Sequence, residues 1–319
     1  MTLHLFGAEG LTDAPEVVKA FEADYTAIPV VAQGLMKAMQ RVPRLHMASR
    51  VLDPSAGSGG FGSVLRVLLD ERAQIFGIEP RESEAAGLRA RGFYNATCVA
   101  EFNAAEIFRT LVAGDGEPLE LVTTNPPFTA FQGPDKEHPD RRPWWLELRD
   151  KGCLHEHGVV LLLGQTQVLQ SRDAAPLLRQ WSPRYQFRLG GRPGFRDREG
   201  FQLVEIPPEK RRPGGPTHKR KKNGTDSADY SWWLWDMDYG HDMREPEWTT
   251  LQLPVLPKAY RTWDRKSIPG TYAVEPALIA EIRVKYLVTA ILRVADKLHR
   301  RLDEVERGAT WTEAKERVG

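Results

Sequence analysis

Between Arg50 and Leu163 the chain alternates short β-branched runs with helical patterns, and this alternation limits the fold more than any other feature. The runs are Arg50–Leu52, Gln74–Ile78, Ala96–Val99, Leu119–Thr123 and Val159–Leu163. A helical crossover returns the chain to the same end of the sheet, so such strands pair in parallel and helices cover both faces. One helix is legible at Phe61–Glu71, where Val64, Leu65, Leu68 and Leu69 recur on one face.

After Leu163 the rhythm changes. Arg184–Leu189 and Tyr230–Asp236 read as two strands without a helical crossover, which predicts an antiparallel hairpin closing the sheet. Trp232, Trp233 and Trp235 in the second strand are expected to alternate between core and surface. The stretch Pro207–Thr225 is rich in Pro, Gly, Lys and Arg and predicts a mobile loop at the hairpin tip. Beyond Gly240 a proline-punctuated connector leads to a long helix near Glu275–Arg307. Its stripe Val284, Val288, Ile291, Ala295, Leu298, Leu302 and Val305 is a heptad pattern that packs against another helix, in this chain or in a second copy. The expected organisation is a main domain over residues 1–240 and a connector with a long helix over 241–319.

Across 319 residues the formal net charge is +1, so no global field attracts a polyanion and any nucleic acid must meet a local basic patch. Between Trp181 and Lys222 there are twelve Lys and Arg against four Asp and Glu, an excess able to bind phosphates. The stretch Thr129–Trp145 adds Lys136, Arg141 and Arg142 with Phe131, Trp144 and Trp145, cations mixed with aromatic stacking surface. The tandem tryptophans are also expected to start a helix and bury at least one ring. Cys98 and Cys153 are too few for a disulfide framework and lack the spacing of a zinc site, so both read as inert thiols and no metal is expected. No apolar run approaches the length of a membrane span, and residues 1–10 lack the basic-then-apolar pattern of a signal peptide. A cytoplasmic protein without a membrane partner is expected.

Two motifs carry chemistry. Asp53-Pro54-Ser55-Ala56-Gly57-Ser58-Gly59-Gly60-Phe61 follows a strand and opens a helix. Glycines at such a turn let a ligand approach the backbone, and an acidic residue some twenty positions on can hold ribose hydroxyls. Glu79, at the end of the second strand, has that position, which points to an adenosine-like cofactor.

Asn125-Pro126-Pro127-Phe128 directly follows the fourth strand and so lies at the same rim of the sheet. A planar exocyclic amine is a poor nucleophile because its lone pair is delocalised into the ring, and it needs two acceptors to hold its protons. The Asn125 side-chain oxygen and the Pro126 carbonyl can supply them, and Phe128 can stack on the captured ring.

Together these motifs resemble those of the S-adenosylmethionine-dependent amino-group DNA methyltransferases, of the adenine-N6 type that places the catalytic motif before the recognition region. Asp53–Phe61 looks like their cofactor loop, with Asp53, Pro54, Ser55, Ala56, Gly57, Gly59 and Phe61 as contacts, and Asn125, Pro126, Pro127 and Phe128 look like their catalytic tetrapeptide, of which Asn125 would also touch the cofactor. Tyr25 and Thr26 resemble the segment that meets the methionine carboxylate, with a looser spacing to Pro29. Glu101 stands where the family often has an acid near the cofactor adenine, and reads equally well as an exposed strand-end glutamate.

The resemblance, over about residues 25–237, implies a Rossmann-like, seven-stranded methyltransferase sheet. It implies S-adenosyl-L-methionine as cofactor, with S-adenosylhomocysteine as product and no metal. The partner would be double-stranded DNA with its adenine flipped out, as in restriction-modification. The recognition region is short for this class.

Three other readings stay open: a methyltransferase of ribosomal RNA guanine N2, one of a protein glutamine amide, and a non-catalytic nucleic-acid-binding subunit that retained the fold. Cytosine C5 chemistry needs a cysteine beside a proline, and neither cysteine has that setting. Cytosine N4 enzymes generally carry Ser where Asn125 stands.

Overall fold

The computed structural model describes residues 25–26, 28–100, 117–126, 131, 133, 142–170, 174–191, 193, 195–196, 202–205, 218–221, 229–256, 307 and 313. The chain separates into two units, Met1–Val274 and Glu275–Gly319. The heptad stripe lies outside the described residues, as do Glu101, Pro127, Phe128, Lys136 and Arg141. The sheet and the candidate site belong to the first unit.

The expected parallel strands are present as β2 (Arg50–Asp53), β3 (Gln74–Ile78), β4 (Ala96–Cys98), β5 (Leu119–Thr124) and β6 (Leu154–Gln165). The antiparallel pair is β7 (Tyr185–Arg188) and β11 (Tyr230–Asp236). With β12 over Thr249–Gln252, the sheet order is β12-β7-β11-β6-β5-β2-β3-β4. β11 runs antiparallel to both its neighbours, while every other pair is parallel. The fold is therefore the expected Rossmann-like α/β sheet of methyltransferase type, extended by one strand. That eighth strand, β12 (Thr249–Gln252), adds itself to the edge at β7 from within the proline-punctuated connector.

Strand order reverses at β2: the chain proceeds through β3 to β4 on one side, and β5 with β6 lies on the other. Such a reversal opens a crevice beyond the carboxyl ends of the two central strands. The turn after β2 and the turn after β5 both lie there.

One expectation about the hairpin fails. Trp232, Trp233 and Trp235 do not alternate between core and surface; all three are fully buried. β11 is inserted between β6 and β7, and both its faces are covered. On one face Trp235 stacks on Trp145 with ring centroids 4.8 Å apart, and Phe131 lies 6.0 Å from Trp145. Phe131, Trp144 and Trp145 are thus core residues, which removes them as a stacking surface for a nucleotide.

On the other face α1 (Ile28–Arg41) packs through Gly34, where a Cβ would lie 2.2 Å from the Trp232 ring. Only a glycine lets this helix approach so closely, as large side chains at both contact points would overpack the core. The buried Asp236 at the end of β11 is paired with Arg44 and, at 2.7 Å, with Arg184.

Two short ladders lie outside the main sheet. β1 (Tyr25–Thr26) pairs antiparallel with β8 (Phe195–Arg196), and β9 (Gln202–Glu205) pairs antiparallel with β10 (His218–Lys221). β10 falls inside the stretch expected to be loop. Its lysines and arginine conceal a strand because ladder pairing uses backbone groups, whatever the side chains.

Candidate active site

The turn from β2 into α2 (Gly60–Leu68) is built on two left-handed residues, Gly57 with φ 51° and Gly59 with φ 88°. Both conformations are easy only for glycine. The Gly59 amide donates to the Ala56 carbonyl at 2.8 Å, and the Ala56 amide to the Ile78 carbonyl at 2.9 Å, so the turn is fastened to the end of β3.

Glu79, expected to hold ribose hydroxyls, reinforces that fastening. Its Oε2 accepts from the Gly57 amide at 2.9 Å and its Oε1 from the Arg81 amide and Nε at 3.1 and 2.5 Å. The pair is buried, with Glu79 2% exposed. Arg81 carries no signal in the sequence; its amide and guanidinium fix the rotamer of the acid beside the turn.

Asp53 faces inward. Its carboxyl is fully buried and accepts from the Tyr94 hydroxyl at 2.7 Å and from the Thr124 hydroxyl at 2.8 Å, with the Ser55 amide at 3.4 Å. Burial pushes this acid up to about 7, although its three donors favour the ionised form. The Tyr94 phenol is held well above its ordinary range by burial and then by the neighbouring Asp53.

Asn125 follows β5 and is partly exposed, with Pro126 buried behind it. The Asn125 Nδ2 donates to the Thr26 hydroxyl at 3.0 Å. That bond fixes the amide so that its oxygen is left for another partner. Thr26 in turn is held by the ladder, in which it opposes Phe195 while Tyr25 opposes Arg196.

The structure thus brings Thr26, Asp53, Gly57, Gly59, Glu79 and Asn125 to one rim. Pro54, Ser55, Ala56 and Phe61 belong to the same turn and first helical residues; Phe61 is buried against Trp232, with ring centroids 5.7 Å apart. Tyr94, Thr124 and Arg81 are the residues that sequence reasoning missed. Gly62 and Gly77 could have flagged Tyr94, because a Cβ on either would lie 2.4 or 2.9 Å from its ring. Among the described residues no group of three or more His, Cys, Asp or Glu is arranged to hold a metal ion.

No family model and no curated protein matches the chain. Solved structures to which the chain is similar include a SAM-dependent O-methyltransferase from Thermotoga maritima, at 13% identity and TM-score 0.35, covering 66% of each chain. The M protein of the type I restriction enzyme EcoKI is 14% identical with TM-score 0.41, over 74% of this chain and 50% of that one. TrmN from Thermus thermophilus is 16% identical with TM-score 0.36, over 65% and 48%. The chain therefore spans about half to two thirds of the length of these proteins.

Proposed function

We propose that this chain is an S-adenosylmethionine-dependent methyltransferase acting on an exocyclic amino group of a nucleic-acid base, adenine N6 in double-stranded DNA. The observation that carries the reading is the orientation of Asn125. Its amide nitrogen donates to Thr26, which leaves its oxygen to accept from another partner, at the end of the strand that pairs with the one leading into the glycine turn. An amide presented oxygen-first is an acceptor for an N–H, which is what a planar amine requires.

The turn fits the methyl donor. Gly57 and Gly59 present backbone in left-handed conformations that favour glycine, so that a ligand can approach the main chain closely. Gly57, Ser58 and Gly59 would hold the donor through backbone. Glu79 would hold its ribose hydroxyls once the carboxylate exchanges the Gly57 amide for them, and S-adenosylmethionine supplies an electrophilic methyl group.

Asn125 Oδ1 and the Pro126 carbonyl accept the two amino protons and turn the nitrogen lone pair toward the methyl carbon. S-adenosylmethionine would supply the methyl group, the N–C bond forming as its S–C bond breaks to leave S-adenosylhomocysteine, and one amino proton would pass to solvent, leaving a neutral methylamine. Phe128, outside the described residues, would stack on the flipped base, and holding both partners in line lowers the entropic part of the barrier. No covalent enzyme intermediate is required.

Two features support DNA as the substrate carrier. Residues 202–222 carry seven Lys and Arg against two acids, and within them β9 and β10 form a two-stranded ribbon, an element that fits a DNA major groove. The chain enters that ribbon from β8, which is paired with the Thr26 strand.

Calorimetric titration with S-adenosylmethionine, paired with transfer of labelled methyl to DNA, tests the reading. Asn125→Ala should keep donor affinity and lose turnover by about a hundredfold or more, the usual scale for removing a group that stabilises the transition state. Full transfer by that variant would refute the assignment; donor binding without transfer to DNA, RNA or peptide by the wild type would favour a non-catalytic binding subunit.

A further inference from the structure

Among the described residues Asp53 is the one fully buried acid that reaches both sides of the crevice. Its Oδ2 accepts from Tyr94 and its Oδ1 from Thr124, the residue immediately before Asn125. Tyr94 reaches further, because its oxygen also accepts from the Gly62 amide at 3.1 Å, in the first turn of α2. One carboxyl group therefore joins the helix that follows the glycine turn to the strand end that carries the amide.

The Tyr94 ring has a slot built for it. It passes between Gly62 and Gly77, one on α2 and one on β3, and a Cβ on either would lie within 3.0 Å of it. Two glycines that serve no turn are thus explained by one ring, and the ring delivers a single hydroxyl to the base of the site.

We propose that Tyr94 and Thr124 are positioning residues acting through the two oxygens of Asp53, Tyr94 setting the glycine turn for the methyl donor and Thr124 setting Asn125 for the amine. This rests on the reading of the turn and of Asn125 given above, and adds a division of labour between two residues outside both motifs. Neither needs to touch donor or base. A hydroxyl deleted from a buried network strands its former partners, which rearrange, and the rearrangement is felt where those partners lead.

The two arms separate in kinetics. Tyr94→Phe keeps the ring in its slot and deletes only the hydroxyl; it should weaken donor affinity about tenfold while leaving kcat within about twofold, the scale of one lost buried hydrogen bond. Thr124→Val should do the opposite, lowering kcat about tenfold with donor affinity preserved, and Thr124→Ser should restore kcat. A purely structural role would lower the melting temperature of both variants and move neither constant in the folded protein, or move both constants alike; either result overturns the proposal. Donor affinity is read by calorimetry on the full chain, so the Tyr94 arm is tested even if the wild type transfers nothing to DNA. A wild type that methylates DNA alongside variants with unchanged constants would sink this inference and leave the function standing. Should Thr124→Val fail to fold, unchanged donor affinity in Tyr94→Phe alone overturns it.

Discussion

The side-chain nitrogen of Asn125 donates to the hydroxyl of Thr26 across 3.0 Å, and Thr26 sits in a two-residue ladder with Phe195 and Arg196. The residue read as amine holder is therefore oriented by a strand 99 positions earlier in the chain, and that strand is held by the segment that leads into the basic ribbon. Thr26, expected from the sequence to meet the methionine carboxylate, is in this structure the acceptor for the Asn125 amide.

Thr26→Val removes the acceptor that orients the amide while keeping the shape of the side chain. Turnover should fall about tenfold, the scale of losing one part-buried hydrogen bond, and Thr26→Ser should recover it. Steady-state kinetics on both variants check this; equal kcat for Val and wild type would show that the amide is oriented by something else.

The buried Asp53 ties stability to pH. Its carboxyl is raised from 3.8 to about 7 in the folded chain, chiefly by burial, against Tyr94, Thr124 and Ser55 as donors and with Glu79 as the nearby like charge. A raised value means the folded state binds this proton more tightly than the unfolded state. The stabilisation is complete below 3.8 and is lost as pH rises through about 7. Asp53→Asn has no proton to lose, so its unfolding free energy relative to wild type should climb as pH rises from 3.8 to about 7 and level off above that. Urea titrations across about that pH range measure it; parallel curves for the two proteins would contradict it.

Gly34→Ala tests the packing of α1 on the inserted strand. The added methyl would meet the Trp232 ring at 2.2 Å, and relief of such overpacking costs about 1–3 kcal/mol. Chemical denaturation should show that loss, because both the helix and β11 are held by buried neighbours.

Much of this architecture is legible before any coordinates. Alternating runs fix the parallel strands, since a crossover helix leaves no other pairing, and Gly57, Gly59 and Asn125 mark the rim because they follow strands directly. The insertion of β11 is not legible. Period-two tryptophans look the same whether one face or both are buried, and only the neighbours β6 and β7 decide. β10 is hidden for a different reason, as Lys219, Arg220 and Lys221 have surface chemistry while their backbone pairs with β9. The partners Arg81, Tyr94 and Thr124 were invisible because hydrogen bonds between distant residues leave no local pattern, apart from the two glycines that make room for Tyr94.

If the ribbon meets DNA phosphates, its charges govern the salt dependence of binding. Replacing Lys219, Arg220 and Lys221 together by Gln should reduce the slope of log affinity against log salt by about 2.7, at roughly 0.9 for each phosphate that is no longer neutralised. Donor affinity should be unchanged. Fluorescence anisotropy with a labelled duplex over a salt series reads the slope, and an unaltered slope would remove the ribbon from the interface.

The most direct measurement is mass spectrometry of nucleosides from unmethylated duplex DNA incubated with the chain and S-adenosylmethionine carrying an isotopically labelled methyl group. N6-methyladenine bearing the label, in DNA treated with the wild type and absent with Asn125→Ala, is the predicted result. Label found only in other nucleosides, in RNA or in protein, or equal label from both proteins, would contradict the assignment of Asn125 as the holder of an adenine amine.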